Sequence, residues 1–463
     1  MDKLYTHLKK YFLIYLGLVI YLLFFVSVAW TGWFDIFFSG AALHDGAKGI
    51  DFYQLPNGAW AFWHGGSLNG DPLANKSQYA NHFFSNRNVY HPFFTLTLGS
   101  LLAQFDPAQS PYIWLWSKLF ISLLVIAYFF WSFRLSKYIG FAVFILLANF
   151  SIYLELAAWQ FHFILNMLLL LFLIMLVKRR PVLLSGFLHC LEMLVKPIGL
   201  LFVPTLLLKR RWKTVLLGTV LFALCTVPFL FSGVGKYYSD NLLMNLSSSG
   251  TLGPNQIITF AALLHYTTHW PDFVYQAIQN SSLFLVVFLC TLRRTSITKA
   301  VFLYLAYYLC FYEQVFEYQW SSLAYVLAVC VVTCPEFQTR LSRFCIVLIC
   351  LPGCFILLNH LHIDVKDMGY LGLIPGATAW EWMVVSKLIP LFLLLVSILA
   401  ADCKPTFKQV KAFWNALRKV NDHLDLFGDE QRASGVEQRF RNDSLSVVPG
   451  FLESLLLALV MAT

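Results

Sequence analysis

Six short stretches set polar side chains into an otherwise apolar chain, and each allows a chemical and a structural reading. Asp51, in GIDFYQLPNGAWAFWHGGSLNG, is a carboxylate ahead of an amphipathic aromatic segment. It can serve as a general base at the mouth of a cavity, or cap a helix running to His64. Asp35 and Asp45 compete with it in the same segment. Tyr90-His91-Pro92-Phe93 either sets a phenol and an imidazole at a membrane surface or punctuates a helix start with proline. Trp159-Gln160-Phe161-His162, with Asn166 one turn on, is either packing glue between helices or a polar ligand site. Lys196 stands midway through an apolar stretch, where an ammonium is costly unless it is paired or faces water. It either neutralises a phosphate or pairs with Glu192 one turn earlier. Gly253-Pro254-Asn255-Gln256 opens an apolar helix, with Asn255 a site residue or an N-cap. Glu313 and Glu317, four apart in EQVFEYQW, form either a site or an interfacial rim.

The elements that position these residues follow from composition. Of 463 residues 59% are apolar and only 12% charged, with a mean hydropathy of +0.67. That excludes a disordered chain, the usual nucleic-acid binder and a disulfide-stapled small domain, and it requires many residues to face lipid. At about 20 residues per span the chain allows roughly ten to thirteen transmembrane helices. The runs are solidly apolar, so the fold class is an all-α multi-pass bundle and not a barrel. Cysteines sit in apolar runs and read as small buried apolar residues, and no metal spacing appears.

A first helix runs from Phe12 to Trp30 behind Lys3, Lys9 and Lys10, retained and starting in the cytoplasm. Residues 35–90 form a long first extracytoplasmic loop. Basic clusters at 178–180, 209–213, 293–294 and 340–343 mark the inside, so 181–208 is a hairpin broken at Pro197. Further spans fall near 212–231, 273–292, 297–312, 318–335, 344–360 and 381–401. If residues 91–106 form a short span, Arg134 and Lys137 lie outside; if those two lie inside, residues 91–106 or part of 139–177 are re-entrant. Residues 1–402 form one transmembrane domain. Residues 403–463 form a cytoplasmic tail with an amphipathic helix (407–420) and a final apolar stretch (451–461).

Taken in order, the fragments DFYQ, YHPF, WQFH, KPIG before LLLKRRWK, PNQI and FEYQ resemble the motifs of glycosyltransferase family 87 in the GT-C superfamily. That family includes polyprenol-phosphate-mannose-dependent mannosyltransferases. The resemblance covers roughly residues 10–335. Trp159 stands where the family has glycine, His162 where it has asparagine, Ile198-Gly199 after the Lys-Pro pair, Ile257 for serine, and Tyr318-Gln319 for two histidines.

The resemblance implies a membrane enzyme that moves a hexose, mannose by family inference, from a polyprenyl-phosphate donor to a lipid or glycan acceptor, with inversion. Asp51 would be the base. Lys196, Gln160, His162, Asn255, Gln256, Glu317 and Gln319 would hold the donor phosphate or sugar. Tyr53, Trp60, Tyr90 and His91 would guide acceptor or lipid. It implies no cofactor, no metal and no nucleic acid, a monomer, and a bacterial inner membrane with both termini cytoplasmic. The rival class is a transporter or flippase, whose sign would be inverted repeats with discontinuous helices; no convincing repeat is seen.

Overall fold

The computed structural model describes residues 2–35, 51–68, 88, 90–231, 259–261, 264, 268, 270–292, 295–311, 315, 317–352 and 384–402. Among these the secondary structure is helical throughout, as expected of an all-α multi-pass membrane protein. Six helices are long and apolar enough to cross a membrane, and six more apolar helices are shorter. The expected tail, residues 353–360 of the expected 344–360 span and Asp45 lie outside the described residues.

α1 (Asp2–Val26) continues through a wider turn to Thr31, where Gly32 closes it. α2 (Gln54–Trp63) and α3 (Pro92–Leu102) are short and pack on one another. A Cβ on Gly99 would stand 2.7 Å from the Leu55 carbonyl, so only glycine permits this approach. Trp63 Nε1 bonds Ser100 Oγ at 2.7 Å across the same contact. At about 16 Å, α3 cannot span a hydrocarbon core of about 30 Å. It turns back through residues 103–109 into α4 (Ser110–Phe133).

This resolves the two readings of residues 91–106. Arg134 and Lys137, beyond α4, join the other basic residues: Lys178 Nζ lies 4.5 Å from the Phe133 ring, and Arg343 lies 5.5 Å from the Tyr138 ring. α5 (Ile139–Ala148) and α6 (Phe150–Ala157) make one span interrupted at Asn149, which caps α6 through the Ser151 N–H. α7 (His162–Val177) returns to the basic end.

The hairpin forms as expected. α8 (Val182–Val195) stops at Lys196, whose backbone is extended (φ −149°, ψ 140°), because the residue before a proline avoids the helical region. A 3₁₀ turn (Pro197–Phe202) and α9 (Val203–Leu208) complete it. α10 (Trp212–Leu230) packs along α8 so closely that a Cβ on Gly218 would meet the His189 ring at 2.8 Å.

α11 (Asp272–Thr291), α12 (Ile297–Phe311), α13 (Trp320–Thr333), α14 (Arg340–Cys350) and α15 (Val385–Asp402) complete the bundle. α13 is buried from Trp320 to Val331, as its apolar circumference requires. α4 and α10 instead expose Phe120, Leu124, Leu216 and Leu224, as lipid-facing helices do. At the basic end, Lys299 joins Asp402 (2.6 Å) and Glu336 (3.1 Å), tying α12 and α15 to the turn that follows α13.

Candidate functional site

At the opposite end, the turn between α6 and α7 presents the first polar group. α6 closes with Trp159 in the left-handed region (φ +52°). The Gln160 N–H returns to the Glu155 carbonyl (3.2 Å) and the Trp159 N–H to that of Leu156 (3.1 Å). This closure ordinarily takes glycine at the left-handed position. Two side chains of α4 hold it: Trp114 Nε1 donates to the Trp159 carbonyl (3.2 Å), and Lys118 Nζ donates to the Glu155 carbonyl (3.0 Å).

The fixed turn aims Gln160 at Asp51. Gln160 Nε2 donates to Asp51 Oδ2, and Gln54 Nε2 donates to Oδ1 at 2.7 Å. Both amides hold the carboxylate in place. Asp51 is not a helix cap: Tyr53 occupies that position and no side chain caps α2. Asp35 is held elsewhere, by the Tyr153 hydroxyl.

Two phenols close over Gln160. Tyr90 Oη donates to Gln160 Oε1 (3.4 Å) and meets the Phe161 backbone, and the Tyr318 hydroxyl faces Gln160 as well. Both tyrosines stand in turns outside the helices. Burial first, and the Asp51 carboxylate second, pushes their pKa values up, so both remain protonated donors. Lys196 Nζ lies 5.5 Å from the Tyr318 ring centroid, and the His162 ring meets Tyr318 edge-on at 5.6 Å. The anions acting on the Lys196 ammonium are Asp51 and Glu155. Acid, amide, phenols, imidazole and ammonium therefore form one contiguous group.

Other sequence candidates fall elsewhere. Lys196 does not pair with Glu192, because the extended residue before Pro197 leaves the helix that an i,i+4 pair needs; Glu192 lies 3.6 Å from His189. His91 is buried and structural. Its Nδ1 caps α3 through the Phe93 N–H (3.2 Å), and its Nε2 contacts Thr226 Oγ1 on α10 (3.1 Å). Burial lowers its pKa to about 4, so it is neutral. Trp60 stacks on His64 at 3.9 Å, and Tyr53 Oη reaches the Pro107 carbonyl at 3.5 Å. Both support the α2–α3 region and neither has a described contact with the cluster. Gln319 donates to Tyr308 Oη on α12 (3.1 Å). Asn255, Gln256 and the Glu317 side chain lie outside the described residues.

A second layer lies behind the cluster. Lys118 and Glu155 are fully buried inside the bundle. Glu155 Oε2 accepts from Asn166 Nδ2 (3.0 Å) and Ser321 Oγ (3.1 Å), and Ser322 Oγ stands 2.7 Å from His162 Nε2. Sequence reasoning does not single out Lys118, Glu155, Ser321 or Ser322. The signal is there for the first two, since each is an ionisable residue inside an apolar run.

The arrangement can deprotonate a hydroxyl at Asp51 and stabilise a developing negative charge at Lys196, and the surrounding amide, phenols and imidazole can bind polyhydroxylated material. A comparison with curated proteins finds no match. The model of glycosyltransferase family 87 matches residues 88–334, which begin downstream of Asp51 and span the turn with Gln160, the Lys196 hairpin and all of α13. That match covers more than half of the chain, and so this helical membrane protein belongs to glycosyltransferase family 87.

Proposed function

We propose that the chain transfers a hexose, mannose in the first instance, from a polyprenyl-phosphate donor to a hydroxyl of a lipid or glycan acceptor on the extracytoplasmic side of a bacterial inner membrane. The observation that carries this reading is the meeting of one carboxylate, Asp51, with one ammonium, Lys196, through Gln160 and Tyr318 at the end of the bundle away from the basic clusters.

The acceptor oxygen attacks the anomeric carbon from the face opposite the phosphate, and Asp51 takes its proton. The anomeric carbon–oxygen bond breaks, its electron pair goes to the phosphate, and the configuration inverts. The phosphate leaves already ionised, so the scheme needs no general acid. Lys196, already in place, stabilises the leaving charge. The prenyl chain stays in hydrocarbon, which is why such an enzyme is built from membrane helices.

The test is transfer of radiolabelled mannose from polyprenyl-phosphate mannose in membranes with wild type and Asp51→Asn at equal expression. Turnover should fall by roughly 10²–10⁴-fold. Unchanged turnover removes Asp51 from the base role, and no transfer by wild type from any prenyl-phosphate sugar removes the donor class.

A further inference from the structure

Behind the Asp51 cluster runs a chain of side-chain hydrogen bonds that joins α6, α7 and α13: Glu155, Asn166, Ser322 and His162. Asn166 Nδ2 donates both its hydrogens, one to Glu155 Oε2 (3.0 Å) and one to Ser321 Oγ (2.7 Å). Its Oδ1 therefore faces Ser322, whose hydroxyl donates to it at 2.6 Å. A serine hydroxyl has a single hydrogen. Ser322 has spent it on Asn166, so the 2.7 Å contact between Ser322 Oγ and His162 Nε2 has to be a donation from the imidazole. The neutral His162 ring thus carries its hydrogen on Nε2, and Nδ1 holds the lone pair.

The opposite wiring would turn Asn166 over. Its Oδ1 would then face Glu155 Oε2 across 3.0 Å, oxygen against carboxylate oxygen. Lys118 and Lys196 are the cations acting on Glu155, and with its carboxylate ionised the first wiring, which points the Asn166 amide hydrogen at Oε2, is selected. Two acceptor atoms are left over. His162 Nδ1 and Glu155 Oε1 are buried and have no hydrogen-bond partner among the described residues. His162 abuts Tyr318, which faces Gln160, which in turn bonds Asp51.

We infer that Glu155, Asn166 and Ser322 are positioning residues that fix His162 as a hydrogen-bond acceptor for a hydroxyl of the transferred sugar, which makes His162 a specificity determinant and not a phosphate anchor. A phosphate oxygen offers no hydrogen to Nδ1, whereas a sugar hydroxyl does. The inference rests on the glycosyl-transfer reading for its ligand, while the wiring stands on the structure alone.

Two measurements on the full-length protein test it. Nitrogen NMR of histidine-labelled protein in bilayers at neutral pH, with His162 assigned by its loss in His162→Gln, should show Nε2 protonated and Nδ1 bare. Ser322→Ala should release that preference, so that both tautomers are seen. A wild-type ring protonated on Nδ1 overturns the wiring whatever the activity.

The second measurement compares kcat/KM for a prenyl-phosphate hexose with its four monodeoxy analogues. One analogue should react roughly 10- to 100-fold more slowly with wild type, the loss expected when a buried acceptor goes unpaired. That one penalty should disappear in His162→Phe, while the relative rates of the other three analogues stay as in wild type. Penalties that are the same in both proteins at every position overturn the specificity role. Absence of transfer from every donor overturns the donor assignment, and the NMR result still decides the wiring.

Discussion

Lys118→Met tests whether the buried charges act as one neutral set. With all four groups ionised, Asp51 and Glu155 contribute two negative charges, and Lys118 and Lys196 two positive ones. Asp51 and Glu155 act on both ammoniums. Lys118 is fully buried and lies 5.6 Å from the Trp114 ring and 5.7 Å from the Phe163 ring.

Removing it leaves a net buried charge of −1 and deprives the Glu155 carbonyl of a charged donor at 3.0 Å. An uncompensated buried charge costs about 3–5 kcal/mol, whereas removal of a whole pair is often close to neutral. Lys118→Met and Glu155→Gln should therefore each lose about 3–5 kcal/mol. The double variant restores neutrality and should lose only about 1–3 kcal/mol, chiefly from hydrogen bonds no longer made. The assay is reversible unfolding in mixed micelles by titration with a denaturing detergent, with all four proteins in one lipid and salt condition. If the double variant loses the sum of the singles to within about 0.5 kcal/mol, the two groups are independent and the reasoning is wrong.

Three other outcomes follow from the geometry. Gln160→Leu frees one oxygen of Asp51 and should lower kcat roughly 10- to 100-fold with little change in donor KM; a rise in KM at constant kcat would make Gln160 a binding group and not an orienting one. His91 has a folded pKa of about 4 against an ordinary 6.5, so between those values the unfolded chain binds more protons. Stability then falls as pH drops from 6.5 toward 4, by up to about 3 kcal/mol. His91→Asn should show a shallower acid loss in thermal unfolding, and superimposable curves would refute the assignment. At Trp159, φ of +52° penalises any side chain, so Trp159→Gly should be more stable than Trp159→Ala by about 1 kcal/mol, the reverse of the order in a helix. Equal stability, or Ala above Gly, would show that the turn relaxes.

Much of the fold is legible from hydropathy and charge, because lipid forces apolar runs into helices and the basic clusters gather at one end of the bundle. Expected spans at 212–231, 273–292 and 297–312 agree closely with α10, α11 and α12. What pattern alone leaves open is which polar neighbours meet. Glu192 and Lys196 have helical spacing, yet Pro197 withdraws Lys196 from the helix and the pair never forms. Asp51 precedes a helix as a cap would, but the helix starts too late to use it. Lys118 and Glu155 satisfy the same rule that singles out Lys196. Their connection spans 37 residues and runs through a backbone carbonyl, which no spacing rule reads. Trp159 is the clearest case of a residue whose place is legible only in hindsight. The resemblance puts glycine there, and the structure supplies the reason in the left-handed closure of α6.

Helix length explains why the polar group collects where it does. α7, α8, α12 and α13 have 16, 14, 15 and 14 residues. At 1.5 Å per residue they are about 21–24 Å long, against a hydrocarbon core of about 30 Å. α4, with 24 residues, is about 36 Å long. At the basic end Lys178 lies over Phe133 of α4, Arg211 reaches the Leu176 carbonyl of α7, Lys209 the Leu292 carbonyl after α11, and Lys299 of α12 joins Asp402 of α15. The turns that carry Gln160, Lys196 and Tyr318 at the Asp51 end therefore adjoin helices about 6–9 Å shorter than a full hydrocarbon core. On the proposed reading, a prenyl phosphate would keep its chain in lipid and meet Lys196 at that level, without its head group crossing the apolar core. Short central helices are therefore what brings a charged cluster to the level of the head group.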